Sequence, residues 1–294
     1  MTQGATTSSS GQPELRIIDA SLSDAVAAGC HCSLLVAVNR LDLAVLDLHR
    51  TRYLAIESFR FAEHTDFRDL AQAVEQQLNN SRVAGMPFQS VSAAFSGLPY
   101  TLLPLPLYKP GCEHNVLSFN HPLSENATAT SDEVEDLSLR VVYQQAPPVE
   151  QLLKQRFPSL SMHHASTTLL QALVLASKSR SGQQVYINVH QPWFDLTVLN
   201  GSELQFHNSF RFSTPEDMAY YLLYTLEQLK LSPDSVPVAI TGALKMNSDA
   251  YKLLEQYVRT LSFEPVNSGT TLSSSLSSAP KHYFFNLLNQ FLCA

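Results

Sequence analysis

The sequence predicts an α/β protein in which one unit of three strands, a helix and a further strand occurs twice. Three observations carry this. Leu41–Asp47 reads LDLAVLD and Phe194–Asn200 reads FDLTVLN. Ser58–Phe61 and Ser209–Phe212 both read SFRF. Each SFRF leads into an amphipathic helix and then a strand ending in a small polar residue and glycine, VSAAFSG at Val91–Gly97 and VPVAITG at Val236–Gly242. Four matched elements in one order, about 150 residues apart, are the mark of an internal duplication.

The second copy shows the unit most clearly. Residues 184–190, 194–199 and 204–212 alternate apolar and polar positions and read as three strands. Asn200-Gly201 is a two-residue hairpin signal. The helix over 215–231 opens with Thr214 as cap, Pro215 at the first helical position and the acids Glu216 and Asp217. Its stripe of Met218, Leu222, Thr225, Leu226 and Leu229 keeps helical spacing. A second helix is expected over 249–261. In the first copy the helix covers 66–78, and the place of the second helix is expected to hold an irregular stretch, 100–131. Between the copies the pattern gives a strand (139–143), a helix (148–157), a strand (159–164) and a helix (167–177). The expected division is a disordered tail over 1–13, a first half over 14–147, a connecting segment over 148–180 and a second half over 181–267. A Ser-rich flexible linker over 268–280 and a C-terminal helix over 281–294 complete it.

Composition sets limits on the chemistry. Hydrophobic residues make up 45% of the 294 residues, enough for a large core, and the net charge is −7. The 7 lysines and 12 arginines are scattered singly, so no basic stripe for nucleic acid is expected. No apolar run reaches the ~20 residues of a membrane span, and no export signal precedes the core, which points to the cytoplasm and to free thiols at Cys30, Cys32, Cys112 and Cys293. There are only 10 glycines, and the closest two, Gly4 and Gly11, are seven apart. Backbone cradles for phosphate and strained serine elbows need closely spaced glycines, so GxGxxG, GxxxxGK[ST] and GxSxG folds are excluded.

Three antiparallel strands, a helix, a strand parallel to the first and another helix form the ribonuclease-H-like unit. Two in tandem resemble the actin-like ATPases, with a cleft between the halves, in particular those of pilus assembly and type II secretion. A narrower resemblance is to a bacterial family catalogued as domain of unknown function 3822. It is carried by Thr101-Leu102-Leu103-Pro104, by His164 with Ser166-Thr167-Thr168-Leu169-Leu170, and by Asn208-Ser209-Phe210. Glu216-Asp217, Tyr220-Tyr221-Leu222-Leu223, Glu227-Gln228-Leu229-Lys230 and the terminal 282–293 also match. The resemblance implies a fold and brings no reaction.

In the actin-like class the phosphates rest on two hairpin turns of pattern Asp-x-Gly. Here the corresponding turns hold Asn39 and Arg40 in the first half, and His190, Gln191 and Trp193 in the second, with neither the glycine nor the aspartate. Gly242 alone keeps a motif position, that of the adenosine contact. These six residues are the cleft candidates, and no catalytic residue is assigned among them. A zinc site from Cys30-His31-Cys32 with Cys112 and His114 is disfavoured because the spacing is not that of a zinc knuckle. No metal or cofactor is therefore expected. His163-His164 is read as structural, and Trp193 as packing on the opposing half. The C-terminal Phe284, Phe285, Leu288 and Phe291 are the partner-helix candidates, with docking back on the first half the preferred outcome. The expected function is a cytoplasmic, non-catalytic scaffold or adaptor that binds a protein partner, with a divergent ATP- or small-molecule-binding enzyme as the alternative.

Overall fold

The computed structural model describes residues 12–124, 126–266 and 269–293. The tail residues 1–11 and Ser268 of the expected linker lie outside the described residues. After β1 (Leu15–Ile18) and a single turn α1 (Asp24–Ala27) come β2 (Cys30–Ala37), β3 (Arg40–Asp47) and β4 (Arg52–Arg60). Helix α2 (Phe67–Asn80) follows, capped by the Asp66 carboxylate on two backbone N–H groups, and then β5 (Ser90–Phe95). The stretch read as irregular, 100–131, holds β6 (Tyr100–Pro104), α3 (Glu113–Asn120) and the start of β7 (Ala129–Val134), and β8 (Leu139–Gln144) follows where a strand is expected. The chain continues through α4 (Pro147–Arg156), β9 (Leu160–His164) and α5 (Ala165–Ser177).

The second copy repeats the plan as β10 (Gln183–His190), β11 (Trp193–Asn200), β12 (Glu203–Arg211), α6 (Pro215–Gln228), β13 (Val238–Gly242), α7 (Asp249–Tyr257) and β14 (Leu261–Phe263). Thr214 and Asp217 form a reciprocal capping box at α6, as the sequence implies. β15 (Thr271–Leu272) and α8 (Phe285–Asn289), the latter flanked by 3-10 turns, end the chain.

The sheets show how deep the duplication runs. The first has β4-β3-β2-β5-β9 in order, and the second β12-β11-β10-β13-β14. β2 to β4 are antiparallel and β5 and β9 run parallel to β2, with the same relations in the second half. This corrects the expected connecting segment: α4 packs on α2 and β9 pairs with β5, so both belong to the first unit, as α7 and β14 belong to the second. The true insertion is β6 to β8, which forms its own small sheet in the order β6-β8-β7. The register also corrects the match between the strands ending in Gly97 and Gly242. Phe95 pairs with Val36 as Gly242 pairs with Val189, so Phe95, not Gly97, is the counterpart of Gly242.

Strand alternation gives each sheet two faces. The outer faces pack on α2 with α4 and on α6 with α7. The inner faces look toward each other and are covered by exchanged elements. Helix α5, from the first half, packs on Tyr186, Leu199 and Ala239 of the second sheet. The C-terminal segment packs Phe284, Leu287 and Leu288 against Ala44, Leu46, Tyr53 and Ile56 of the first. The two elements touch: Asn286 donates to the Ala165 carbonyl (2.9 Å) and accepts from Thr168 (2.6 Å).

The Ser-rich stretch is not a free linker over its described part. Thr271–Leu272 pairs parallel to β4, and Ser273 and Leu276 are buried. β1 also lies on β4, so the first sheet's outer edge is covered, whereas β12 ends the second sheet.

Candidate functional site

The two hairpin turns face each other across the cleft. Asn39, Arg40, His190, Gln191 and Gly242 all line the gap between them, so five of the six cleft candidates converge there. That gap is only about 50 Å3, room for a water molecule or two, against the ~300 Å3 or more of an organic-ligand pocket. Tyr283, Phe284 and Leu287 of the C-terminal segment form one wall. The Arg40 guanidinium lies 4.5 Å from the Tyr283 ring centre and 5.6 Å from that of Phe284. It also donates to Asp42 Oδ1 at 2.7 Å. Burial pushes the Asp42 carboxyl up, and the Arg40 charge opposes that shift.

Gly242 has a local structural reason to be glycine. Its φ is +76°, and a Cβ there would stand 2.2 Å from the Val189 carbonyl oxygen. Close approach of β13 to β10 needs the missing side chain, whatever occupies the cleft.

Beside this closed gap lies a second space of about 520 Å3. Its walls come from the β5–β6 loop, from the β9–α5 junction and from β10 to β12, so it bridges both halves and the insertion. Trp193, half-buried, lines this cavity with the Arg211 guanidinium 5.9 Å from its ring centre; the tryptophan therefore faces a space rather than packing on the opposing half. His164 does take the structural role expected of it, since its Nδ1 accepts from the Ser166 N–H and caps α5. It also lines the cavity, and burial pulls its imidazole down to about 4.

At the centre of the wall is Asp195, 4% exposed and on the inner face of β11. It accepts from Asn188 Nδ2 at 3.0 Å and from the Ser209 hydroxyl, and His190 Nε2 stands 3.1 Å from its Oδ1. Burial works to raise this carboxyl, but His190, His207 and Ser209 outweigh it and hold Asp195 below the usual carboxylate range. His190 Nδ1 lies 3.2 Å from the Ser96 hydroxyl, which joins the second half to the end of β5 in the first. The Tyr100 hydroxyl is 2.9 Å from His207 Nε2 and 3.0 Å from Ser209 Oγ, and His207 Nδ1 is 2.8 Å from Thr197 Oγ1. Burial raises the Tyr100 phenol and lowers His207, so both are neutral at pH 7. The connected chain Ser96–His190–Asp195–Ser209–Tyr100–His207 can relay a proton and can orient donors and acceptors toward a ligand.

Of these residues the cleft reading names only His190 and Trp193. Ser96, Tyr100, Asp195, His207 and Ser209 are missed, although the repeat contains three of them, Ser96 being the small polar residue that precedes the glycine of VSAAFSG. Asp195 is the aspartate of FDLTVLN and Ser209 opens the second SFRF, and in the sheet they pair with each other as Asp42 pairs with Ser58. The first half balances its aspartate with Arg40, and the second with His190.

The remaining candidates fall elsewhere. Phe284, Phe285 and Leu288 are buried within the chain, and Phe291 packs on the first sheet's inner face, so these side chains are committed in cis. Cys30 and Cys32 are buried on β2, where burial raises the Cys30 thiol to about 11, while Cys112 precedes α3 in the insertion. Among the described residues no three His, Cys, Asp or Glu side chains are grouped to hold a metal ion, and no helix is long and apolar enough to cross a membrane.

The architecture is shared with solved proteins. A Bacteroides thetaiotaomicron protein described as having an actin-like ATPase fold and unknown function is similar at a TM-score of 0.71 and 16% identity, over 83% of this chain and 93% of that one. The PilM–PilN type IV pilus biogenesis complex contains a chain similar at 0.57 and 11% identity, over 89% of this chain and 98% of that one. The cytoplasmic domain of EpsL, an inner-membrane component of the Vibrio cholerae type II secretion system, gives a TM-score of 0.42 at 11% identity, over 90% of this chain and 95% of that one. The fold is that of the actin-like ATPases. No curated protein matches the sequence. The family model described as "Protein of unknown function (DUF3822)" matches residues 19–261, and the chain belongs to that family.

Proposed function

We propose that this protein keeps the actin-like fold without its nucleotide chemistry and serves in the cytoplasm as a scaffold or adaptor for a protein partner. The observation that supports this reading is the gap of about 50 Å3 between the two hairpin turns, walled by the chain's own Tyr283, Phe284 and Leu287. A nucleoside triphosphate needs several times that volume, and also the glycines and metal-binding aspartates that both turns lack. The type IV pilus structure that shares the fold is a complex of PilM with PilN, which gives a partner-binding role a precedent within the fold. The test is thermal unfolding with Mg-ATP at millimolar concentration. The melting temperature should stay within about 1 °C and no phosphate should be released, because a ligand stabilises only the state that binds it. A rise of several degrees overturns the reading.

A second reading, that the cleft holds a small molecule, rests on the neighbouring cavity of about 520 Å3. Its lining contains no Lys, Arg or Glu, and its one carboxylate is already paired with His190. Such a wall does not recognise a phosphate chain, which calls for guanidinium or ammonium partners, and it suits an uncharged ligand with aromatic or hydroxyl groups.

A further inference from the structure

We infer that Ser96, His190 and Asp195 form a nucleophile–base–carboxylate relay that opens on the cleft cavity and makes it an acyl-transfer site for uncharged carboxylic esters. This deepens the second reading above and rests on it; if it holds, the protein is not a purely non-catalytic scaffold.

The geometry brings the parts of such a site within reach of one another. The nucleophile and base are within hydrogen-bond reach, Ser96 Oγ to His190 Nδ1 at 3.2 Å, a separation that tightens when substrate is bound. The base and its orienting carboxylate are 3.1 Å apart, His190 Nε2 to Asp195 Oδ1. With Asp195 ionised, Nε2 carries the proton and Nδ1 is left free to accept from the serine. The carboxylate is itself fixed by Asn188 and Ser209. Ser96 lies just past the end of β5 and before Gly97, whose φ is +81°, so it sits on a sharp strand-to-loop turn. All three side chains line the same space as Trp193, Tyr100 and Leu98. Gly97 and Leu98 also line it, and their backbone N–H groups make no hydrogen bond to the described residues, leaving two donors for a developing oxyanion. The relay has no counterpart in the first half, where Ala37 stands at the position of His190 and Arg40 neutralises the matching Asp42.

In the reaction Ser96 Oγ attacks the ester carbonyl carbon while its proton passes to His190 Nδ1, and the carbonyl electron pair moves onto oxygen. Collapse re-forms the carbonyl and expels the alcohol oxygen, which leaves with the proton from His190. Water then attacks the acyl-serine, gives its proton to His190, and the acid is released as that proton returns to Ser96. Ser96 and His190 are the catalytic residues, and Asp195 is a positioning residue.

The test is to incubate the full chain with an alkyl fluorophosphonate, from which an activated serine displaces fluoride, and to follow intact mass and Trp193 emission. One adduct per chain is expected, mapped by peptide mass spectrometry to Ser96 and absent in Ser96→Ala. His190→Gln should slow labelling about 100-fold or more. Asp195→Asn should slow it to a similar degree and lower the pH of half-maximal rate, since removing the negative charge makes His190 a weaker base. No adduct on Ser96, under conditions that label a serine esterase to completion, overturns the proposal, as does labelling of another residue alone. Peptide mapping of the unsubstituted chain gives this answer even if a variant fails to fold. Trp193, the chain's one tryptophan, separates this from a failure of the cavity reading. Its emission, titrated with small neutral aromatic esters, reports cavity occupancy whether or not Ser96 reacts.

Discussion

A chain ending at residue 280 should be recovered insoluble or without cooperative unfolding. The removed segment buries Phe284, Phe285, Leu287 and Leu288, each 3% exposed or less. At about 1.5–3 kcal/mol for each large apolar side chain, the four together contribute roughly 6–12 kcal/mol, comparable with the whole stability of a domain. The loss is not only apolar. Asn286 bonds α5, Gln290 donates to Ser92 at 2.9 Å, and the Tyr53 hydroxyl donates to the Leu288 carbonyl. Truncation would leave the Tyr53 hydroxyl without its partner, take one bond each from Ser92 and the Ala165 carbonyl, and strip the inner face of the first sheet. Soluble expression and circular dichroism of the truncated chain check this, with Phe285→Ala as the milder form, expected to cost about 3–5 kcal/mol. A truncated chain that unfolds cooperatively near the full-length temperature would show a detachable docking helix instead.

Gly242→Ala should be the most damaging single methyl in the second half. The added Cβ would lie 2.2 Å from the Val189 carbonyl oxygen, 2.7 Å from its nitrogen and 2.9 Å from its carbonyl carbon. All three are backbone atoms of the central strand and cannot swing aside. The end of β13 must move away, which breaks the bond from the Ala243 N–H to the Val189 carbonyl, now 2.7 Å. The left-handed φ adds about 1–2 kcal/mol for any L side chain, and the clash brings the total to about 3 kcal/mol or more. Gly182→Ala is the control: its φ is +78° but nothing lies within 4 Å of the new atom, so only the conformational cost remains. Urea denaturation of both variants decides it. Equal losses would remove the close approach as the reason for glycine here.

The duplication was legible because each half must bury the outer face of a sheet under a helix, and that requirement repeats the apolar pattern. The small sheet of the insertion was not, because β6 and β7 are mostly half-exposed and carry little alternation. The strands β9 and β14 are five and three residues long, too short to declare which sheet they join. Ser273 and Leu276 lie in a stretch whose composition reads as flexible, yet backbone bonds to β4 hold it.

The candidate site was half visible. Asn188 and His190 on β10, Asp195 and Thr197 on β11, and His207 and Ser209 on β12 alternate with the apolar residues of the outer face, so period two alone places six polar side chains on one inner face. What period two cannot supply is Ser96, 94 residues from His190 in the chain and brought to it only by the closing of the two halves.

The C-terminal segment is a core element that closes the gap between the two turns. Hydrogen–deuterium exchange of residues 281–293, with and without Mg-ATP, is the decisive measurement. Amides in this segment should be protected to nearly the same degree as those of β2 and β10, with no change on adding nucleotide. Exchange of the segment within seconds, or its release when Mg-ATP is added, would contradict this.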